Sequence, residues 1–489
     1  MAEVLDVAVV GGGPTGLWLA CELALAGGRA ELFERRWEAV RESRALTLHP
    51  RSLEVLALRG LEGRFLERGR PLPTGHFGML DTRLDFSVLD TRFPYTLFLP
   101  QAMTEALLEE RAKELGVAVR RGHTVEALRQ DAEGVDLEGS TDAGAFRVRA
   151  RYVVGADGAR SAVRRLSGIP FPGTDVTRTA VLGDVTLGAP PAQPALGISN
   201  EQGGVMVVPM APGVHRIVVS DPLREKVPVR EPVTLEELRE STLRIAGSDF
   251  GMREPRWLSR FGNETRLAER YREGRVLLAG DAAHIHFPAG GQGLNVGMQD
   301  AMNLGWKLAA VVKDGAPDAL LDSYSRERRP VGEALLHNTL AQTALMGATR
   351  ETLALRALLS DLLREPGLNR RLADTIGALD VGYAPLDVPA PEATSPLLAD
   401  WRGRRLSDVA LSLQDGAEAR LYAALHPGRW LLLGLGEDDA RPLPRWEPGW
   451  PSHVTTLRAR GCVGRGGRLE GVGGLLVRPD GHVGWAWAA

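Results

Sequence analysis

Cysteine is scarce, with Cys21 and Cys462 the only two in 489 residues. Two distant thiols cannot build a disulfide scaffold, a CxxC redox pair or a zinc ribbon within one chain, which fits a reducing compartment. Long hydrophobic runs are also missing: no stretch of about 18 apolar residues occurs, and short ones such as residues 430–433 suit buried strands. Neither sign of charge dominates, since 59 Lys+Arg stand against 62 Asp+Glu for a net charge of -3. That balance offers no general attraction for nucleic acid or an anionic membrane, so neither is expected as a partner. The start, MAEVLDVAVVGGG, lacks the basic and apolar regions of a secretory signal and runs straight into a glycine-rich turn, so a cytoplasmic protein is expected. No repeat and no low-complexity tract appears, and no metal-ligand cluster is read.

Glycine is abundant, at 57 residues, and clusters in turns. The length suggests roughly three domains. Val4, Val7, Val9 and Val10 form a β-rich run, residues 11–16 break it, residues 17–26 read as an Ala/Leu helix, and residues 30–34 resume a strand. This is a βαβ unit carrying Gly11-x-Gly13-x-x-Gly16, followed by Glu34 at the end of the second strand. Gly11 permits the tight turn, Gly13 lets backbone approach a pyrophosphate, Gly16 allows close packing, and Glu34 can accept from a ribose diol. A glycine turn serving the fold alone would leave Glu34 unexplained.

Two further stretches follow strands. Gly155-Ala156-Asp157-Gly158 comes after residues 152–154, where an Asp-Gly turn also reads as a mere strand end. Gly280-Asp281-Ala282-Ala283-His284 follows residues 276–279 and continues through Pro288, Gly290, Gly291, Gln292, Gly293, Leu294 and Asn295 into a helix. There a helix start can stabilise negative charge on a planar ligand, and Asp281 can hold a sugar-alcohol hydroxyl. Elsewhere, residues 100–115 read as a helix, residues 117–120 as a strand, and Leu84, Phe86 and Val88 as a half-exposed strand. Residues 205–209 and 214–219 flank a hairpin turn at Ala211-Pro212-Gly213.

Taken together and in this order, the three motifs resemble the FAD-dependent monooxygenases of the para-hydroxybenzoate hydroxylase fold, over roughly residues 4–345. The runs Arg51-Ser52-Leu53-Glu54-Val55-Leu56 and Asp300-Ala301-Met302-Asn303-Leu304-Gly305-Trp306-Lys307-Leu308 look like the aromatic polyketide hydroxylases and rifampicin monooxygenases. Residues 257–262 and 266–271 look especially like the latter. The resemblance implies an α/β fold: a Rossmann-type FAD-binding domain, an inserted antiparallel-sheet substrate domain and a C-terminal thioredoxin-like domain. The expected bounds are 1–75, 99–175 and 270–383 for FAD, 76–98 and 176–269 for substrate, a proline-rich linker at 384–399, and 400–489 for the last domain. That domain lacks a CxxC, so a structural or contact role is expected of it.

Carried over by position, Gly11, Gly13, Pro14, Thr15 and Gly16 hold the pyrophosphate of non-covalent FAD, Glu34 the ribose, with Arg35 beside the adenosine. Arg44 lies next to the flavin, Gln101 near the ribityl chain, and Val125 gives a backbone contact to adenine. Asp157 lies near the pyrophosphate and Asp281 binds ribityl oxygen, while Pro288, Gly290, Gly291, Gly293, Leu294 and Asn295 line the isoalloxazine. His284 reads as structural rather than as a general base, and no certain base is assigned. His76, Phe77, Phe86, Phe98, Met206, Pro209 and Met210 are candidate pocket walls. The resemblance implies NADPH or NADH as a transient reductant, O2, and a flavin C4a-hydroperoxide that hydroxylates a large aromatic polyketide-type substrate. Alternatives are a rifampicin-type, antibiotic-inactivating monooxygenase, or a flavin-binding scaffold without turnover. A monomer or homodimer is expected.

Overall fold

Hydrophobic strands that are apolar on both faces need cover on both faces, and the first strand, Leu5–Val10, shows this plainly. Five of its six residues are buried, as suits the middle of a parallel sheet. The computed structural model describes residues 4–193, 195–386, 395–437, 443–444, 451, 453–463 and 469–489. In it Leu5–Val10 sits at the centre of an eight-stranded sheet. The main path runs Arg272–Glu273, Val276–Leu278, Gly144–Gly155, Leu5–Val10, Ala30–Glu34, Ala118–Arg121, parallel from Val276–Leu278 onward. A meander of Thr124–Gln130 and Val135–Thr141 pairs antiparallel with the long strand Gly144–Gly155. The helices Pro14–Leu25, Gln101–Glu114 and Gly293–Lys313 pack on this core.

The inserted β-region is a five-stranded antiparallel sheet in the order Leu196–Asn200, Gly203–Ala211, Val214–Ser220, Thr179–Leu187, Met252–Gly262. The hairpin expected at residues 211–213 is present, with Gly213 at φ 74° supplying the left-handed turn residue. Alternation sends Val205, Val207, Ile217 and Val219 against the helix Leu235–Ala246. That helix starts on a Thr234 side-chain cap and stops at left-handed Gly247.

Segment 76–98 departs from expectation. It adds no strand to the five-stranded sheet. Leu84–Asp85 pairs only with Thr74–Gly75, and Thr96–Phe98 joins Thr47–Leu48 and Arg70–Leu72. Phe77 and Phe86 pack instead with Leu345, Leu363 and Ile376 of the helical region. Phe86 is fully buried while Val88 is 45% exposed, so of the apparent alternation only Leu84 lies on a strand, and the chain turns after Asp85.

The C-terminal sheet runs Glu418–Arg420, Ala410–Leu413, Val454–Val463, Trp430–Leu435, Val472–Val477, Val483–Ala488, with one parallel pair, Trp430–Leu435 with Val454–Val463. Most of the expected linker, residues 387–394, lies outside the described residues. Cys462 is exposed and Cys21 buried, without a disulfide. Burial pushes the Cys21 thiol up to about 12. No helix among the described residues is long and apolar enough to cross a membrane.

Buried ions seal this sheet to the rest. Arg51 donates to Asp480 O at 2.7 Å, and Arg59 donates to Leu425 O and Pro479 O at 3.0 and 3.1 Å. Glu54 accepts from both Arg51 and Arg405, and Glu22 from Arg59, all in the interior.

Candidate active site

All three glycine-bearing motifs leave the C-terminal ends of adjacent parallel strands: Leu5–Val10, Gly144–Gly155 and Val276–Leu278. The strand order reverses between the first two, and the crevice at such a switch point is where open α/β sheets take ligands. Close approach is measurable at the glycines. A Cβ on Gly11 would stand 2.3 Å from Ala156 O, and one on Gly280 or Gly297 would stand 2.7 or 2.4 Å from Thr15 Oγ1. Gly16 is equally tight, its Cβ falling 2.0 Å from Gly11 O. Gly13 differs, because no protein atom lies within 4 Å of its missing side chain.

The helix Pro14–Leu25 starts without a side-chain cap, with Pro14 in its first turn, and Gly293–Lys313 also lacks one. Their uncapped first turns meet at Thr15, bringing free N–H groups and two positive dipole ends together, which suits an anion. Glu34 is locked beside them: its Oε2 accepts from Gly12 N at 2.7 Å and its Oε1 from Arg36 N at 2.9 Å. Each oxygen keeps a second lone pair for a hydroxyl. Gly122 N donates to Arg36 O and His123 N to Glu34 O, which draws Val125 alongside. Asp157 Oδ2 accepts from Ala162 N and Val163 N at 2.6 and 3.2 Å, whereas its Oδ1 is buried with no partner. These features fit a dinucleotide's pyrophosphate and sugar hydroxyls.

A cleft of about 380 Å³ continues from there, lined by Arg36, Glu38, Ala39, Val40, Glu42, Arg44, Gln101 and Trp257. Arg35 is exposed, and its neighbour Arg36 lines the cleft in its stead. Gln101 Oε1 accepts from Ala45 N at 3.2 Å, propping the Arg44 loop from the helix side. Arg216 props it from the sheet side by donating to Arg44 O at 3.3 Å. Arg216 is itself fixed by a bidentate pair with Asp184, 2.7 Å to each oxygen, and lies 5.1 Å over the Trp257 ring. Sequence reading missed Arg36, Asp184, Arg216 and Trp257 as a group. Their partnership spans two sheets, and only the run 257–262 gave any signal.

In the third motif, Gly290 and Gly291 take left-handed φ values of 71° and 66° in succession. Asn295 pins the resulting loop, donating to Thr47 O and Gly291 O at 3.0 and 2.9 Å and accepting from His49 N at 2.7 Å. Gly293 leaves room for His286 and Asp281, whose nearest atoms are 3.3 and 3.8 Å from where its Cβ would be. Asp281 and Pro288 are exposed and Leu294 is half-buried. His284 is fully buried against Asp300 at 2.7 Å, which gives it a structural place.

The candidate pocket walls separate. Met206, Pro209 and Met210 are half-buried on Gly203–Ala211, and Gly197 opposite Met206 lies against Met79. Phe98 is half-buried on its small sheet under Arg70, and His76 is half-buried with Nδ1 unpartnered. Phe77 and Phe86 belong to the helical core, and Phe86, fully enclosed, has no face left for a ligand. A different apolar cluster bridges the five-stranded sheet to the Gly290 loop: Ala180, Phe261, Phe287, Ala289 and Met346, with the Phe261 and Phe287 rings 5.5 Å apart. Their residues come from four separate stretches, so no local pattern announced them.

Burial dominates the histidines. Desolvation lowers His49, His76 and His482 to about 4 each. The unfolded chain binds those protons below about pH 6.5 and the folded chain only below about 4, so stability is fully present above 6.5 and declines as pH falls toward 4. Urea titrations at pH 7 and pH 5 are expected to show a lower midpoint at pH 5, and His76→Asn should reduce the difference without abolishing it. An equal midpoint at both values would refute the assignment.

Comparison with known proteins agrees with this geometry. Residues 4–339 match the FAD binding domain family and residues 399–489 the aromatic-ring hydroxylase C-terminal family. The chain belongs to the FAD-binding-domain family of flavoproteins. An uncharacterized aromatic compound monooxygenase, YhjG, of Bacillus subtilis (strain 168) is 50% identical over 98% of this chain and 94% of its own length. Rifampicin monooxygenase of Streptomyces venezuelae is 44% identical over 99% and 96%. The structure of OxyS anhydrotetracycline hydroxylase from Streptomyces rimosus superposes with a TM-score of 0.88 at 44% identity, covering 99% of this chain and 96% of that one. Within the family, the protein is an FAD-dependent aromatic-compound monooxygenase.

Proposed function

We propose that the protein inserts one oxygen atom into a large, electron-rich aromatic polyketide, using NADPH or NADH as reductant and the flavin hydroperoxide route. When bound, FAD supplies the redox chemistry of hydride acceptance and O2 activation. The observation that carries the reading is the convergence of the three strand-end motifs, Ala156 against Gly11 and Gly16 and Gly280 against Thr15, with Phe261 and Phe287 joining the five-stranded sheet to the third.

Each residue then has a physical task. The N–H groups after Gly13, together with Pro14, Thr15 and Gly16, hold the pyrophosphate, Glu34 takes the ribose, and Asp281 takes ribityl oxygen. Asn295 keeps the Gly290–Gly291 backbone against the ring, and Arg44, held by Arg216 and Gln101, orients it. Phe261, Phe287 and Met346 exclude water from the reacting face, which limits wasteful loss of peroxide. Met206 and Pro209 contact the substrate.

The relatives named above point to two substrate classes, compounds like anhydrotetracycline and compounds like rifampicin, and the 44% identical rifampicin enzyme favours keeping the second. Purified holoprotein with NADPH or NADH is expected to oxidise the nicotinamide faster when anhydrotetracycline or rifampicin is added, with a product heavier by one oxygen atom. Flavin-loaded protein that leaves nicotinamide and O2 consumption unchanged with both classes would overturn the reading and favour a flavin-binding protein without turnover.

A further inference from the structure

Two buried sets of polar contacts, joined at the neighbouring helix residues Glu327 and Arg328, link the C-terminal sheet to the turn that carries Asp281. At its far end, Arg478 and Asp480 pair through two contacts of 3.1 and 2.6 Å. Arg478 also grips both oxygens of Glu327, at 3.0 and 2.8 Å, on the long helix Asp322–Ala344. The next residue on that helix, Arg328, reaches the other way. Its Nε donates to Asp300 Oδ1 at 2.7 Å, its Nη2 to Val296 O at 3.2 Å and its Nη1 to Tyr383 OH at 3.0 Å. Asp300 Oδ2 in turn accepts from Gly280 N at 3.1 Å and meets His284 Nε2 at 2.7 Å, spanning both ends of the turn.

Tyr383 closes the loop. Its ring lies 4.3 Å from that of His482 and 5.0 Å from the Arg478 guanidinium, and its backbone N donates to Gly403 O. Three cations, Lys307, Arg328 and Arg478, face three carboxylates, Asp300, Glu327 and Asp480, and all six are at most 4% exposed. Charges sealed this way have few alternative arrangements, because any movement strands one of them in a dry interior. Packing alone needs no such chain, since Trp306, Trp430 and Leu475 already give the seam an apolar filling.

We propose that the C-terminal domain positions the flavin-facing turn at residues 280–284, with Tyr383 and Arg478 as positioning residues that act through Arg328 and Asp300. The domain without a redox pair thereby serves as a brace. Gly280 has φ 62° and Thr15 Oγ1 against it, so a shift of its amide displaces Asp281 and the pyrophosphate helix together. This inference rests on the assignment of Asp281 to the flavin.

Tyr383→Phe tests it with least damage, removing one hydroxyl and keeping the ring. Apoprotein of this variant should melt close to wild type yet bind FAD three- to tenfold more weakly. Amide hydrogen exchange at residues 280–284 of the apoprotein should quicken by a similar factor. Arg478→Lys, which keeps the charge, should retain more FAD affinity than Arg478→Met. Arg92→Gln cuts the bridge to Asp408, outside the chain, and should leave affinity within twofold. Affinity and exchange both within twofold in Tyr383→Phe overturn the brace. If Asp281→Ala still weakens FAD binding in that case, only the brace falls. If Asp281→Ala is also silent, the assignment of the turn to the flavin falls with it.

Discussion

Alanine at Gly13 is expected to leave the fold intact and strip the FAD, whereas alanine at Gly11 should damage both. The two glycines stand two residues apart in one motif, and their surroundings separate their tasks. A Cβ at Gly13 meets no protein atom within 4 Å, so the apoprotein should melt within a degree or two of wild type. The added methyl would stand where backbone must approach the pyrophosphate, and an affinity loss of about a hundredfold, near 2.7 kcal/mol, is expected. At Gly11 the same methyl falls 2.3 Å from Ala156 O on a backbone with φ 113°. Strained backbone costs roughly 1–3 kcal/mol and overpacking about 1–3 more, so this variant should unfold at clearly lower urea as well as bind no flavin. Flavin absorbance after desalting and urea midpoints read the two effects apart. A yellow Gly13→Ala protein would refute the pyrophosphate assignment.

The largest loss of stability is expected at Arg328→Met. Arg328 and Asp300 are fully buried partners at 2.7 Å. Burial pushes the Asp300 carboxyl up, while Arg328 and then His284 hold it below the usual range. Removing the arginine strands a carboxylate in the interior, which typically costs about 3–5 kcal/mol. The sign with pH follows. The pair's stabilisation is present above the unfolded value near 3.9 and is lost as pH falls through the lower folded value. The deficit of Arg328→Met should therefore be widest near neutrality and shrink under acid, where the carboxyl takes a proton. Denaturant midpoints of both proteins at pH 7 and below about pH 3 check this, and a constant gap counts against an ionised Asp300.

The parts of the site that follow strand ends were legible because each is local. A glycine turn, an acid and a helix start recur within a few residues, and the parallel order of Leu5–Val10, Gly144–Gly155 and Val276–Leu278 brings the three together. The hairpin at Pro212-Gly213 was legible for the same reason. Partnerships across distance were not. Asp184 with Arg216, or Asp300 with Arg328, look in the chain like ordinary charged residues on a strand or a helix. Burial converts them into paired groups, and burial comes from tertiary packing. Phe86 shows the opposite error. Period-two spacing of Leu84, Phe86 and Val88 suggested a strand, but helix packing by Leu363 and Ile376 claimed the ring.

The seam between the two sheets also sets terms for building chimeras. A donor segment replacing residues 399–489 would need an arginine for Glu327, a carboxylate to share it, and a second arginine for Glu54, the tasks of Arg478, Asp480 and Arg405 here. Without these, Glu327 would keep only Lys307 and Glu54 only Arg51 of its cationic partners, so swaps should succeed by matching these side chains rather than by overall likeness.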